Sequence, residues 1–287
     1  MAGIPREIVY TRYEGRRAIE WLRQSYAMFS RARLAWVLLL FAYGFALLVV
    51  AALPLIGPIL FFVLKPVFAV GFLAATWTQE RGGTPALSQL FQGFRSNLWR
   101  LVPLGVVLLV GTQLAFASTA LIDGGKLLTF VTESGSGNLD QEAVLQRWEE
   151  TLGDWRVQAG MLFAIVCAMP TVLALWWAPA LVVFQNATVG LALGVSLRAA
   201  LANWRAILRY LLTAFVFVTV LPSFAWTIIV LLLPAPVAVV MLFLLLLPYW
   251  VVVAATLQIC EYVSYRDVFH AGETLAPLTR SGDQHAR

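Results

Sequence analysis

Lys65 is the residue placed to do chemistry away from water, because the run 59–78 around it is otherwise apolar and Pro66 follows it directly. A lysine at the centre of a membrane span costs about 2.5–3.5 kcal/mol, so it needs a partner or a route to water. Gln113, with Thr112 and Ser118, stands at similar depth in the next apolar run and could complete an intramembrane polar site for an anion or a lipid headgroup. The spacing favours the simpler reading, snorkelling. Lys65 lies about seven residues, some 10 Å, from the outer end of its run, within reach of water for a long side chain.

Other chemistries find no residues. His270 and His285 are too few and too far apart to hold a metal, and Cys167 and Cys260 fall at different depths, which argues against a disulfide. Ser118-Thr119, Ser223 and Ser264 have no neighbouring base. Arg81-Gly82-Gly83-Thr84 has the look of a turn and lacks the phosphate-loop pattern. No apolar run carries Asp, Glu or His at mid-depth, which counts against a proton relay through the membrane. The expectation is a non-enzymatic protein with no cofactor and no metal.

The elements that carry these residues follow from composition. With 61% hydrophobic and 12% charged residues, the chain has about half the charged fraction of roughly 25% usual in soluble domains. Six apolar runs, about 34–53, 59–78, 98–121, 157–184, 210–233 and 237–258, each suit a spanning helix of ~20 residues. The fold class predicted is all-α, a polytopic bundle of six transmembrane helices forming a single membrane domain over 1–269, with 270–287 as a disordered tail. The Arg-rich first thirty residues lack a secretory leader's pattern, so the N-terminus is expected to be retained.

One unit recurs. Residues 86–110 read as an amphipathic surface segment running without a break into a span, and 185–207 align with 79–101 at an offset of 106, pairing Asn97 with Asn203. A fainter copy lies 65 residues upstream, with Leu22, Tyr26 and Phe29 in place of Leu87, Phe91 and Phe94. Three repeats result, about 16–78, 84–184 and 190–258, each a surface helix and a helical hairpin. Two crossings per repeat make the copies parallel, around a pseudo-threefold axis along the membrane normal. The stripes predicted to face lipid are Ile19, Leu22, Tyr26 and Phe29; Leu87, Leu90, Phe91, Phe94 and Leu98; and Leu193, Leu197, Ala200, Leu201 and Trp204. Proline stands in each even-numbered span (Pro66, Pro170 with Pro179, Pro248), so three kinked helices could surround a cavity. The fourth span is long enough to be tilted, or broken near Pro170 or Pro179.

Residues 123–156 form the one long excursion on the far side, with an acidic helix bearing Leu145, Trp148, Leu152 and Trp155 on one face and a capping box from Asn138 to Gln141. The side that holds both termini carries sixteen Lys/Arg against eight Asp/Glu, and the far side three against seven. The positive-inside bias then puts both termini in the cytoplasm of a bacterial inner membrane. It also accounts for the net charge of +5 without nucleic acid. Arg23, Arg31, Arg95, Arg198 and Arg205 become candidate contacts for anionic lipid headgroups of the cytoplasmic leaflet or for a partner protein. Each such basic residue is worth about 1 kcal/mol near an anionic surface.

Through Ala178-Pro179-Ala180-Leu181-Val182-Val183-Phe184, Ser196-Leu197-Arg198-Ala199, Asn203-Trp204 and Ser264-Tyr265-Arg266-Asp267-Val268-Phe269, the chain resembles an uncharacterised family of proteobacterial six-helix inner-membrane proteins. That resemblance implies location and fold. The chain is also distantly similar to the membrane domain attached to some glycerophosphodiester phosphodiesterases, with no catalytic domain beside it here. Mitochondrial carriers share a plan of three two-span repeats, but their Pro-x-Asp-x-x-Arg signature is absent. The reading favoured on the sequence is an accessory or scaffold protein that binds lipid or a partner protein. The alternative is a small permease or lipid-handling transporter, and a Lys65-lined cavity among the kinked spans would favour it.

Overall fold

The computed structural model describes residues 8–95, 97–135 and 141–271, and within them every regular element is helical. Six helical stretches are long and apolar enough to cross a membrane: Arg33–Ala51, Gly57–Glu80, Leu98–Asp123, Trp155–Phe184, Trp204–Leu232 and Ala235–His270. In chain order the elements are α1 (Arg17–Arg31), α2 (Arg33–Ala51), α3 (Gly57–Glu80), a 3-10 turn (Leu87–Phe91) leading into α4 (Gln92–Arg95), α5 (Leu98–Ala117), α6 (Ala120–Asp123), α7 (Lys126–Gly135) and α8 (Gln141–Gly153). Then follow α9 (Trp155–Leu175), α10 (Ala178–Phe184), α11 (Val189–Ala202), α12 (Trp204–Phe215), α13 (Leu221–Leu232) and α14 (Ala235–His270).

At the centre stands α3. From Pro66 to Thr76 it is buried almost all round, the mark of a helix enclosed by others. Three glycines bring other backbones against it: a Cβ would stand 2.0 Å from the Val67 carbonyl oxygen at Gly93, 2.3 Å from that of Val63 at Gly105, and, at Gly71 itself, 2.5 Å from that of Leu90. α14 has 36 residues, about 54 Å at 1.5 Å per residue, so it outruns a hydrocarbon core of about 30 Å. Its outer half exposes Val237, Val239, Val240 and residues 243–245, whereas its last part buries Ile259, Tyr262, Val263, Tyr265, Asp267 and Val268. The end read from sequence as a polar extension of the last span is thus a second centre of packing, joined by α1, α3, α10 and α11.

The surface segments depart from the sequence reading in two ways. The unit 86–110 is not one helix: the 3-10 turn and α4 precede a break at Asn97, whose left-handed backbone (φ 54°) suits asparagine. Breaks also occur at Ala32, between α1 and α2, and at Asn203, between α11 and α12. The stripes read as facing lipid are also split, with Ile19, Tyr26, Leu87, Phe91, Phe94, Leu201 and Trp204 exposed as expected but Phe29, Leu90 and Ala200 buried. α1 buries Ala18, Trp21, Ser25 and Phe29 while Ile19 and Tyr26 stay exposed, and α11 buries Ala192, Val195, Ser196, Ala199 and Ala200 while Leu201 stays exposed. Lipid tails solvate leucine as well as a protein core does, so close backbone approach between small residues decides which face turns inward.

The fourth span breaks at Trp176-Trp177, just before Pro179, and α11 repairs the gap: the Ser196 hydroxyl donates to the Leu173 carbonyl at 3.0 Å and accepts from the Trp177 N–H at 3.0 Å. The fifth widens into a π turn at Val216–Val220 ahead of Pro222, where the Tyr249 hydroxyl donates to the Phe217 carbonyl. On the far side α7, unforeseen in the sequence, pairs with α8 through Phe130 and Trp148 and through Lys126–Asp154 and Arg147–Glu133 ion pairs. The capping box from Asn138 to Gln141 falls outside what the structure describes.

Candidate ligand cavity among the even-numbered spans

A cavity of about 300 Å³ lies between the second, fourth and sixth spans. α3 contributes Lys65 and Pro66, the α9–α10 break contributes Trp176 and Pro179, and α14 contributes Gln258 and Glu261. Tyr210 of α12 and Trp21 of α1 add to its wall. The local sequence explains these placements. Pro66 lies inside α3 and Pro179 in the first turn of α10, just after the break in the fourth span, and Leu257, Glu261 and Ser264 recur at helical spacing on one face of α14. Chemically the cavity is an aromatic and aliphatic enclosure with one cationic and one anionic side chain. Cys260 and Ser264 line it beside Glu261, with no hydrogen bond from either side chain to the Glu261 carboxylate, and no group of His, Cys, Asp or Glu among the described residues could hold a metal ion.

Beside it runs a buried ionic network. Arg266 pairs with Glu80 and reaches Gln24 at 3.0 Å and Asp267 at 3.1 Å. Asp267, fully buried, accepts from Arg17 at 2.7 Å and from the Trp21 indole at 2.9 Å, while the Tyr262 hydroxyl donates to Glu80 at 2.5 Å. Burial works against the Arg17 charge, but the hydrogen bonds and charges of Asp267 and Glu20 outweigh it and hold its pKa above the ordinary arginine value. The arm ahead of α1 is stapled to the same region: Thr11 N–H donates to the Val268 carbonyl at 2.7 Å, and the Asn203 side chain accepts from Tyr13 N–H at 2.7 Å and donates to the Thr11 carbonyl at 3.1 Å.

Of the residues singled out in the sequence, Lys65 and Gln113 are both exposed, and only Lys65 lines the cavity, which is open on one side. Thr112 and Ser118 are satisfied by carbonyls of their own helix, so the polar groups near Lys65 come from α14 instead. Arg23, Arg31, Arg95, Arg198 and Arg205 are all exposed and do not converge. Arg205 lies 5.5 Å from the Trp204 ring, Arg198 donates to the Gly194 carbonyl at 3.2 Å, and Arg31 borders a wide groove of about 1050 Å³ with Arg33, Gln79, Leu34 and Leu38. Sequence reasoning missed Glu261 and Gln258. Their signal was present as polar residues one helical turn apart, but Gln258 ends the last apolar run and Glu261 follows it, where polarity is ordinary.

Over 261 residues the chain is 32% identical to a probable inner membrane protein of Burkholderia thailandensis, covering 90% of this chain and 92% of that one. No family model matches the chain, and no solved structure matches it.

Proposed function

The chain belongs to a family of proteobacterial inner-membrane proteins, and from that premise we propose that this multi-pass protein handles lipid without catalysing a reaction, holding one amphiphile between α3, α10 and α14. The observation that carries this reading is the cavity lined by Lys65 among the even-numbered spans, with Pro66 and Pro179 in its wall. Its size is at the lower end of the ~300–1,000 Å³ of small-molecule sites, enough for a headgroup.

In this reading the three repeats are real and their surface segments share the cytoplasmic face. Support comes from the breaks at Ala32, Asn97 and Asn203, whose spacings equal the 65- and 106-residue offsets of the repeats. The exposed Arg23, Arg31, Arg95, Arg198 and Arg205 then attract anionic lipid to the protein's cytoplasmic rim. A scaffold role is the second reading, favoured by the exposed acidic surface of α8 at Glu142, Glu149 and Glu150, which suits a basic partner beyond the membrane.

Native mass spectrometry of the full chain released from detergent tests the proposal. The wild type retains a bound lipid, and Lys65→Met loses it while keeping its fold. A Lys65→Met protein with unchanged lipid content and phenotype would remove the lipid-handling reading.

A further inference from the structure

The same cavity, on the lipid-handling reading, also constrains which headgroup it takes. Lys65 and Glu261 both line it, and the lysine's charge acts on the glutamate. They nevertheless form no ion pair with each other, and neither side chain has a hydrogen-bonding partner among the described residues. Unlike Asp267, which is buried and paired with Arg17 and Arg266, Lys65 is exposed and Glu261 half-buried. Within a membrane span exposure does not mean water, so a charge there needs a partner, and a ligand bringing one charge of each sign satisfies both.

We infer that the cavity binds a phosphate–ammonium zwitterion, the headgroup chemistry of an ethanolamine phospholipid or of free phosphoethanolamine, with phosphate on Lys65 and ammonium on Glu261. A purely anionic headgroup would satisfy Lys65 and leave Glu261 facing a like charge. A purely cationic one would do the reverse. The walls agree with the polarity: the aromatic rings of Trp176 and Tyr210 border the same space as Glu261, and aromatic faces attract ammonium groups. Lys65 donates from a flexible stem, which suits a phosphate treated as a point charge.

The test uses the full-length protein with phosphatidylethanolamine and phosphatidylglycerol of identical acyl chains in equal amount, read by native mass spectrometry. Free phosphoethanolamine is supplied in a separate arm. The wild type prefers phosphatidylethanolamine by about tenfold, the scale of one charge-assisted hydrogen bond. Glu261→Gln abolishes that preference while still retaining phosphatidylglycerol. Retention of free phosphoethanolamine in the absence of lipid, lost in Glu261→Gln, assigns the same chemistry to a soluble ligand. Lipid bound without preference, or a preference untouched by Glu261→Gln, overturns the zwitterion and leaves lipid handling standing. No lipid and no phosphoethanolamine bound overturns both. If Glu261→Gln does not fold, the wild type alone decides, since N-acetylated phosphatidylethanolamine lacks the ammonium charge: it binds about tenfold more weakly if the inference holds and equally well if it is wrong.

Discussion

At the scale of single residues, Asp267 ties the molecule together. It is fully buried, takes hydrogen bonds from Arg17, Arg266 and Trp21, and its backbone carbonyl accepts from the Tyr13 hydroxyl at 3.1 Å. Asp267→Asn leaves two arginines facing a neutral amide, and breaking a buried pair this way costs about 3–5 kcal/mol. Thermal unfolding in detergent, followed by size-exclusion chromatography, should show a large loss of stability, whereas Glu149→Gln on exposed α8 should leave it unchanged. A second residue-scale prediction concerns acid. The hydrogen bond from Lys126, then that from the Arg156 N–H, hold Asp154 below the ordinary carboxylate range. Because the folded pKa is depressed, the stabilisation is complete above the ordinary Asp value of about 3.9 and disappears as pH falls through the lower folded value. Pepsin cleavage within 126–154 should therefore increase as pH falls below about 4, and Lys126→Met should abolish that step. Lys65 was legible in the sequence because a lone charge in an apolar run stands out. The Glu80–Arg266 pair was not, since its members lie 186 residues apart and each reads locally as ordinary polarity at a helix end.

At the scale of elements, backbone contact with α3 sets the architecture. Gly93→Ala places a methyl 2.0 Å from the Val67 carbonyl oxygen, and backbone on both sides cannot give way cheaply. Overpacking of this kind costs about 1–3 kcal/mol, so the folded yield and melting temperature should fall. Gly190→Ala in α11, where nothing lies within 4 Å, should be neutral or slightly stabilising. Ser196→Ala removes the hydroxyl that bridges the Trp176-Trp177 break and should lower stability by about 1–3 kcal/mol through the Trp177 N–H left unpaired, the Leu173 carbonyl keeping the Trp176 N–H. The existence of the six spans could be read from hydropathy alone, because apolar length is a requirement the bilayer imposes on each helix separately. The inward faces of α1 and α11 could not. Ile19, Tyr26 and Leu201 stay exposed as read, but Phe29 and Ala200 of the same stripes are buried against other helices, a contact the stripe alone does not encode. The break before Pro179 was foreseeable from the proline. The one at Asn97 needed the close approach of Gly93 to α3, which local pattern does not encode.

At the scale of the whole molecule, the six helical stretches long enough to cross a membrane expose most of their surface at one end of the bundle, and at the other the second half of α3 and the last part of α14 are enclosed. On the proposed reading, the rim of arginines draws lipid to one leaflet and the cavity beside the ionic network holds its headgroup. Orientation is open to direct measurement: alkaline phosphatase fused after Arg287 should be inactive and phosphatase inserted within 123–156 active, and the reverse pattern would invert the rim. The most direct measurement of the central claim is a density map of the full chain in nanodiscs made from native lipid. The account predicts headgroup-sized density between Lys65 and Glu261, continuous with acyl chains and absent in Lys65→Met. A cavity holding only water in the wild type, or filled by repacked side chains from α3 and α14, would contradict it.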